Sequence, residues 1–154
     1  MTSENEKTLV LFTDERTEKG ARKMLPKLPE TCFAEADGVS LRHAAERGVR
    51  QIVFVGTMDA LTSLATGARP PGELLSEITA DMGGTPELAA EVASTGNPGE
   101  LWESAGVLGP CGRELCRRAA GVLEEEAGGA LAAQVVLVDS TGERMIGMFG
   151  RMAR

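Results

Sequence analysis

The sequence predicts an α/β protein of three layers, with a mainly parallel central sheet, helices on both faces and a carboxyl-terminal β-hairpin. Three observations carry that expectation. The first third of the chain alternates strand-like with helix-like stretches. "QIVFV" (Gln51–Val55) is apolar almost throughout instead of alternating, as expected of a central parallel strand covered on both faces. The last stretch, "AQVVLVDSTGERMIGMF", holds two strand-like runs joined by "DSTGE", which is a hairpin signal.

The elements follow in order. "TLVLFT" (Thr8–Thr13) is a short run of strand formers, and "DERTEKGARKML" turns to helical spacing with Asp14 as its cap. "ETCFAEA" alternates weakly around Phe33 and predicts a second strand. A turn at Asp37 and Gly38 follows, then a helix "LRHAAERG" capped by Ser40 and ended by Gly48. After "QIVFVG" the chain is almost all helical from Thr57 to Ala127. "MDALTSLATG" ends at Gly67, "ELLSEITADMGG" closes on paired glycines, and "TPELAAEVAST" opens with Thr85 as cap and Pro86 at its first position. A longer helix starts at Pro110, its buried stripe expected at Leu115, Ala119 and Val122. No repeat, linker or composition shift divides the chain, so residues 1–154 read as a single domain.

Charge and composition exclude several classes of function. The 154 residues are 42% hydrophobic, and 16 Lys plus Arg against 23 Asp plus Glu give a net charge of −7. No stretch gathers basic residues on one face, which argues against nucleic acid and anionic membranes as partners. The polar start "MTSENEKT" lacks a leader pattern and no apolar run is long enough to span a bilayer, so a cytoplasmic protein is expected. The 3 cysteines, Cys32, Cys111 and Cys116, form no Cys-x-x-Cys pair and read as reduced, structural thiols. Cys111 and Cys116 would sit about 140° apart on a helix, too far round to converge on one ion, so no metal is expected.

Among chemistry-bearing residues, Thr13 and Asp14 end the first strand, while Gly56 and Thr57 end the third. If those strands are parallel neighbours, the four residues meet at the carboxyl edge, where open α/β sheets bind ligands. Helix capping alone also accounts for Thr13 and Asp14, and is the favoured reading. His43, the sole histidine, points away from the apolar side of its helix and is expected to be exposed. Trp102 is expected to anchor a helix on the core, and Glu124–Glu126 to form a solvated helix end.

A resemblance runs through these segments. "MLPKLPETCFAEADG", "AAERGVRQIVFVG", "ALTSLATG", "GTPELAAEVAST" and "LCRRAAGVLEEEAGGALAAQVVLVDSTG" occur in the same order and with similar spacing as in the carboxyl-terminal half of CbiD-type cobalt-precorrin C-methyltransferases of anaerobic cobalamin synthesis. The resemblance covers Thr8 to about Gly147. In that family the stretch matching Gly56–Gly67 reads Gly-x-x-Gly-Lys-Leu-x-Lys-Leu-Ala-x-Gly, followed by a Thr-His pair. This chain keeps Gly56, Leu61, Leu64, Ala65 and Gly67 but has Asp59, Ala60 and Ser63 at the glycine and lysine positions, and "ARPPG" follows with no histidine. The packing residues are kept and the charged, titratable ones are lost. Lysines beside a helix amino end would hold the carboxylates of a corrin precursor, whereas Asp59 would occupy the free N–H groups and repel an anion.

The strand-end reading and the resemblance together give a ligand region at Thr13, Asp14, Gly56, Thr57, Asp59 and Gly67, and the resemblance implies S-adenosylmethionine as the cofactor to consider. It implies a CbiD-like protein that does not methylate cobalt-precorrin by itself, a diverged stand-alone module. The alternative is one subunit of a split S-adenosylmethionine-dependent methyltransferase. The implied partners are a corrinoid precursor, a protein equivalent to the amino-terminal half of CbiD, and a second copy of the chain in a homo-oligomer.

Overall fold

The computed structural model describes residues 8–67 and 69–150. The polar amino-terminal stretch and Ala68 of the "ARPPG" loop lie outside the described residues. The chain forms β1 (Thr8–Phe12), α1 (Glu15–Met24), β2 (Phe33–Glu35), α2 (Leu41–Glu46), β3 (Gln51–Gly56), α3 (Met58–Thr66), α4 (Pro71–Asp81), α5 (Pro86–Ser94), α6 (Pro98–Ser104), α7 (Leu108–Glu126), β4 (Ala132–Val138) and β5 (Met145–Gly150). Single 3-10 turns at Glu30–Cys32 and Ala36–Gly38 bracket β2.

The sheet runs in the order β2-β1-β3-β4-β5, parallel throughout except for β5, which pairs antiparallel with β4 as the predicted hairpin. β3 lies in the centre, and all six of its residues are buried. Alternate strand residues face two cores. Leu9, Leu11, Ile52, Phe54, Val135 and Leu137 pack with the buried sides of α2 to α7. Val10, Val53, Val55, Val136 and Val138 face the other way, where Ala21 and Met24 of α1 meet them. Helices therefore cover both faces, as expected, but unequally: α1 alone against six.

Local chemistry sets the helix boundaries. Ser40 and Thr85 accept hydrogen bonds from His43 N and Leu88 N, so both predicted caps form. α7 begins at Leu108, two residues before the expected start. Pro110 is tolerated inside it because first-turn positions need no N–H partner. Its buried stripe is also shifted: Leu115 and Ala119 are buried with Cys116, Ala120 and Leu123, while Val122 is only half-buried. The stripe is wider than a single i, i+4, i+7 row because α7 is wedged between the sheet and α3 and α4. No helix among the described residues is long and apolar enough to cross a membrane.

Candidate functional site

The connection leaving β1 runs over one face of the sheet to β2, and the connections leaving β3 run over the other face to β4. β1 and β3 thus flank a topological switch point, and crevices outside the carboxyl ends of such strands take ligands. Thr13, Asp14, Gly56 and Thr57 follow directly on these two strand ends. The structure brings the expected four to one edge of the sheet, and of them only Thr57 lines the open space there.

Asp14 caps α1. Its Oδ1 accepts from Thr17 N at 2.9 Å, while Thr17 Oγ1 accepts from the backbone N–H groups of Thr13 and Asp14, each at 3.0 Å. The hydrogen bond from Thr17 N, the largest influence, holds the Asp14 carboxyl below its ordinary range. The free donors at the end of β1 are therefore consumed by the helix that follows. Gly56 is a packing glycine, since a Cβ there would come within 2.9 Å of the Phe54 ring and 3.3 Å of Ala60 Cβ. Gly67 ends α3 with φ of 57°, a left-handed backbone that glycine adopts freely. It stands at the far end of the helix, roughly 15 Å along the axis from Thr57 at the rise of an α-helix.

The open space lies one strand over. A cavity of about 400 Å³ sits outside the ends of β3 and β4, and it reaches Thr57, Met58 and Asp59 at the start of α3 and Arg16 on the first turn of α1. The rest of its wall includes Asn97, Glu100 and Glu103 along α6, Asp139 and Ser140 after β4, and the apolar Leu108, Val138 and Ile146. Thr57 caps nothing with its side chain, and the Asp59 side chain makes no hydrogen bond among the described residues. The expected occupation of the α3 amino end by Asp59 is thus not seen. Its carboxylate is exposed on the cavity rim instead, as are those of Glu100 and Glu103.

Asp139 is spent differently. Its Oδ1 accepts from Thr141 Oγ1 at 2.6 Å and Thr141 N at 3.1 Å, fixing the β4–β5 turn and lowering its carboxyl pKa. Arg16 donates from Nη1 to Ser140 O at 2.7 Å, tying α1 to that same turn. The lining therefore carries four carboxylates and one guanidinium, and the guanidinium is engaged. Such a site attracts cations and repels polycarboxylates.

Sequence reasoning reached Thr57 and Asp59 but missed Arg16, Glu100, Glu103 and Asp139. The "GNPGE" stretch carried a usable signal, because Pro98 at a first helical position marks a helix start. "DSTGE" carried another, because Asp139 follows a parallel strand end. His43 is exposed and lies 3.9 Å from Glu46, away from the cavity. Cys111 and Cys116 are buried free thiols with pKa pushed up by burial to about 11 and about 12. Among the described residues no group of three or more His, Cys, Asp or Glu could hold a metal ion.

No family model and no solved structure matches the chain. Curated relatives do. Two are named cobalt-precorrin-5B C(1)-methyltransferase: that of Salinispora arenicola is 43% identical across 99% of this chain and 44% of its own length. That of Salinispora tropica is 40% identical over the same shares of each. A third with that name, from Rubrobacter xylanophilus, is 41% identical across 86% of this chain and 37% of its own length. The chain spans less than half the length of these relatives.

Proposed function

We propose, on the premise that this chain is a CbiD-like protein of cobalamin biosynthesis, homologous over nearly its whole length to cobalt-precorrin-5B C(1)-methyltransferases, that it is a cytoplasmic module holding the methyl donor and not the tetrapyrrole. On this reading it does not methylate a cobalt-precorrin by itself. The observation that carries it is the acidic rim of the carboxyl-edge cavity, with Asp59, Glu100 and Glu103 exposed around about 400 Å³.

The donor set fits S-adenosylmethionine in charge. That molecule bears a sulfonium and an ammonium against one carboxylate, and it supplies an electrophilic methyl group. Glu100 and Glu103 on α6 and Asp59 on α3 would hold the cationic groups, as surface carboxylates do at modest gain per pair. Thr57 and Asn97 offer polar contacts. A corrin precursor carries several carboxylates, and the same rim would repel it. Holding the corrinoid therefore falls to polypeptide equivalent to the part of the relatives that this chain does not span. The match across 99% of the chain also supports a second reading, one subunit of a split methyltransferase that acts when such a partner is bound.

Calorimetric titration separates donor binding from tetrapyrrole binding. S-adenosylmethionine should bind the purified chain more tightly than S-adenosylhomocysteine, which lacks the sulfonium charge. Glu100→Gln and Glu103→Gln should each weaken it about two- to fivefold at low salt, the size expected of an exposed charge pair. Incubation with a cobalt-precorrin and S-adenosylmethionine should give no methylated product. Equal affinity for the two nucleosides, or turnover by the chain alone, would refute this assignment.

A further inference from the structure

At the opposite edge of the sheet lies a second opening with the reverse chemistry. Its volume is about 400 Å³, and it is lined by Met24 at the end of α1, by Leu25 and Leu28 after it, by Val53, and by the first residues of β1 and β3, Thr8 and Gln51. It marks the border of the ground that α1 covers. Beyond it the same face runs past Val136 and Val138 of β4, which are buried with Ala21 of α1, to β5, where the exposed large hydrophobic side chains among the described residues stand.

Pairing register shows how far the apolar strip runs. Met148 lies opposite Val136 and Met145 opposite Val138, and residues paired across antiparallel strands share a face. Val136 and Val138 belong to the core on the α1 side. Both methionines therefore project to that side, where they are 45% and 53% exposed, the two large hydrophobic side chains most open to water among the described residues. Gln134 joins the two regions: it lines the groove, and its Nε2 donates to Met148 Sδ at 3.3 Å. A groove continuous with an exposed methionine pair is the form of an interaction surface.

We infer that this groove and the Met145–Met148 strip are the docking surface for the polypeptide that makes up the rest of a CbiD-type methyltransferase. Two observations choose that occupant. More than half of each Salinispora relative lies outside the stretch that this chain matches. Where that stretch is the carboxyl-terminal half, the preceding polypeptide leads through the residues before Thr8 to β1, and Thr8 is itself on the groove. The inference rests on the functional reading above for its partner but uses the opposite edge of the sheet. The donor cavity stays open when the surface is covered.

The test is methionine oxidation by dilute peroxide, read residue by residue by mass spectrometry. This chain is measured alone, then co-expressed with the unmatched portion of the Salinispora arenicola protein, then as a single-chain chimera in which it replaces the matched stretch of that protein. In at least one of the two combined forms, oxidation of Met145 and Met148 should slow about tenfold, since reaction follows exposure, while half-buried Met82 on the far side reacts unchanged. Met148→Glu with Leu28→Glu should abolish co-purification of the two chains and leave S-adenosylmethionine titration as before. Unslowed oxidation in both combined forms would overturn the inference. So would slowing in the chain alone as its concentration rises, because the occupant is then a second copy. Loss of donor binding with the oxidation pattern intact would refute the functional reading and leave the surface standing.

Discussion

Glu114 is a carboxylate with its side chain only 9% exposed, yet it keeps its charge because three donors surround it. Arg117 Nε and Nη2 approach at 2.7 and 2.6 Å and Arg118 Nε at 2.9 Å. Arg118 continues to Glu77 at 2.8 Å and Asp81 at 2.9 Å, so the network ties α7 to α4. The hydrogen bond from Arg117 leads, that from Arg118 adds to it, and together they outweigh burial to bring the Glu114 carboxyl from 4.5 down to about 2. A carboxyl depressed on folding stabilises the native state fully above its unfolded pKa and loses that contribution as pH falls through the folded one. Glu114→Gln should therefore cost about 1–3 kcal/mol near neutrality, with the deficit closing between pH of about 4.5 and about 2. Urea midpoints of both proteins across that window measure it, and a deficit independent of pH would contradict the account. Trp102, wholly buried, shows the same requirement for a partner: its indole N–H donates to Thr79 Oγ1 at 2.8 Å, anchoring α6 on α4.

Among the elements, α3 opens directly on the carboxyl-edge cavity. Its amino end carries no side-chain cap, and its first turn presents Asp59 to the cavity rim. Replacing the rim charge should change the preference of the site without disturbing the strand-glycine-helix packing around Gly56. Asp59→Gly with Ala60→Lys and Ser63→Lys removes one negative charge and adds two positive ones. At about 0.3–1 kcal/mol for each charge near a helix end, affinity for an anionic tetrapyrrole such as sirohydrochlorin should rise about tenfold at low salt. The gain should fade as ionic strength increases. Tight binding by the parent chain, or a gain indifferent to salt, would show that the site recognises anions by other means.

Over the whole molecule, stability is concentrated in the middle of the sheet. β3 and β4 pair over six consecutive residues between the two cores, whereas β2 contributes only three pairs at one edge and β5 forms the other. Amide hydrogen exchange should therefore be slowest at Ile52–Val55 and Val135–Leu137, and fastest among the strands at Phe33–Glu35 and Met145–Gly150. Slow exchange throughout β5 in the isolated chain would indicate that its outer edge and face are already covered.

The fold class was legible in the amino-acid order because its signals are local: an apolar run at Gln51–Val55, caps at Asp14, Ser40 and Thr85, and a turn at "DSTGE" each act within a few residues. That order also determined kinship, through short matches in fixed succession. It could place Thr57 at a strand end, but not decide what that end faces, since Glu100, Glu103 and Asp139 arrive from 40 or more residues away. Packing alone decided that Val122 yields its place to Leu123, that the α3 amino end goes without a side-chain cap, and that the cavity lies outside β3 and β4. The reason is physical. A helix cap needs one neighbour three residues on, whereas the charge of a cavity is the sum over side chains that only packing brings together.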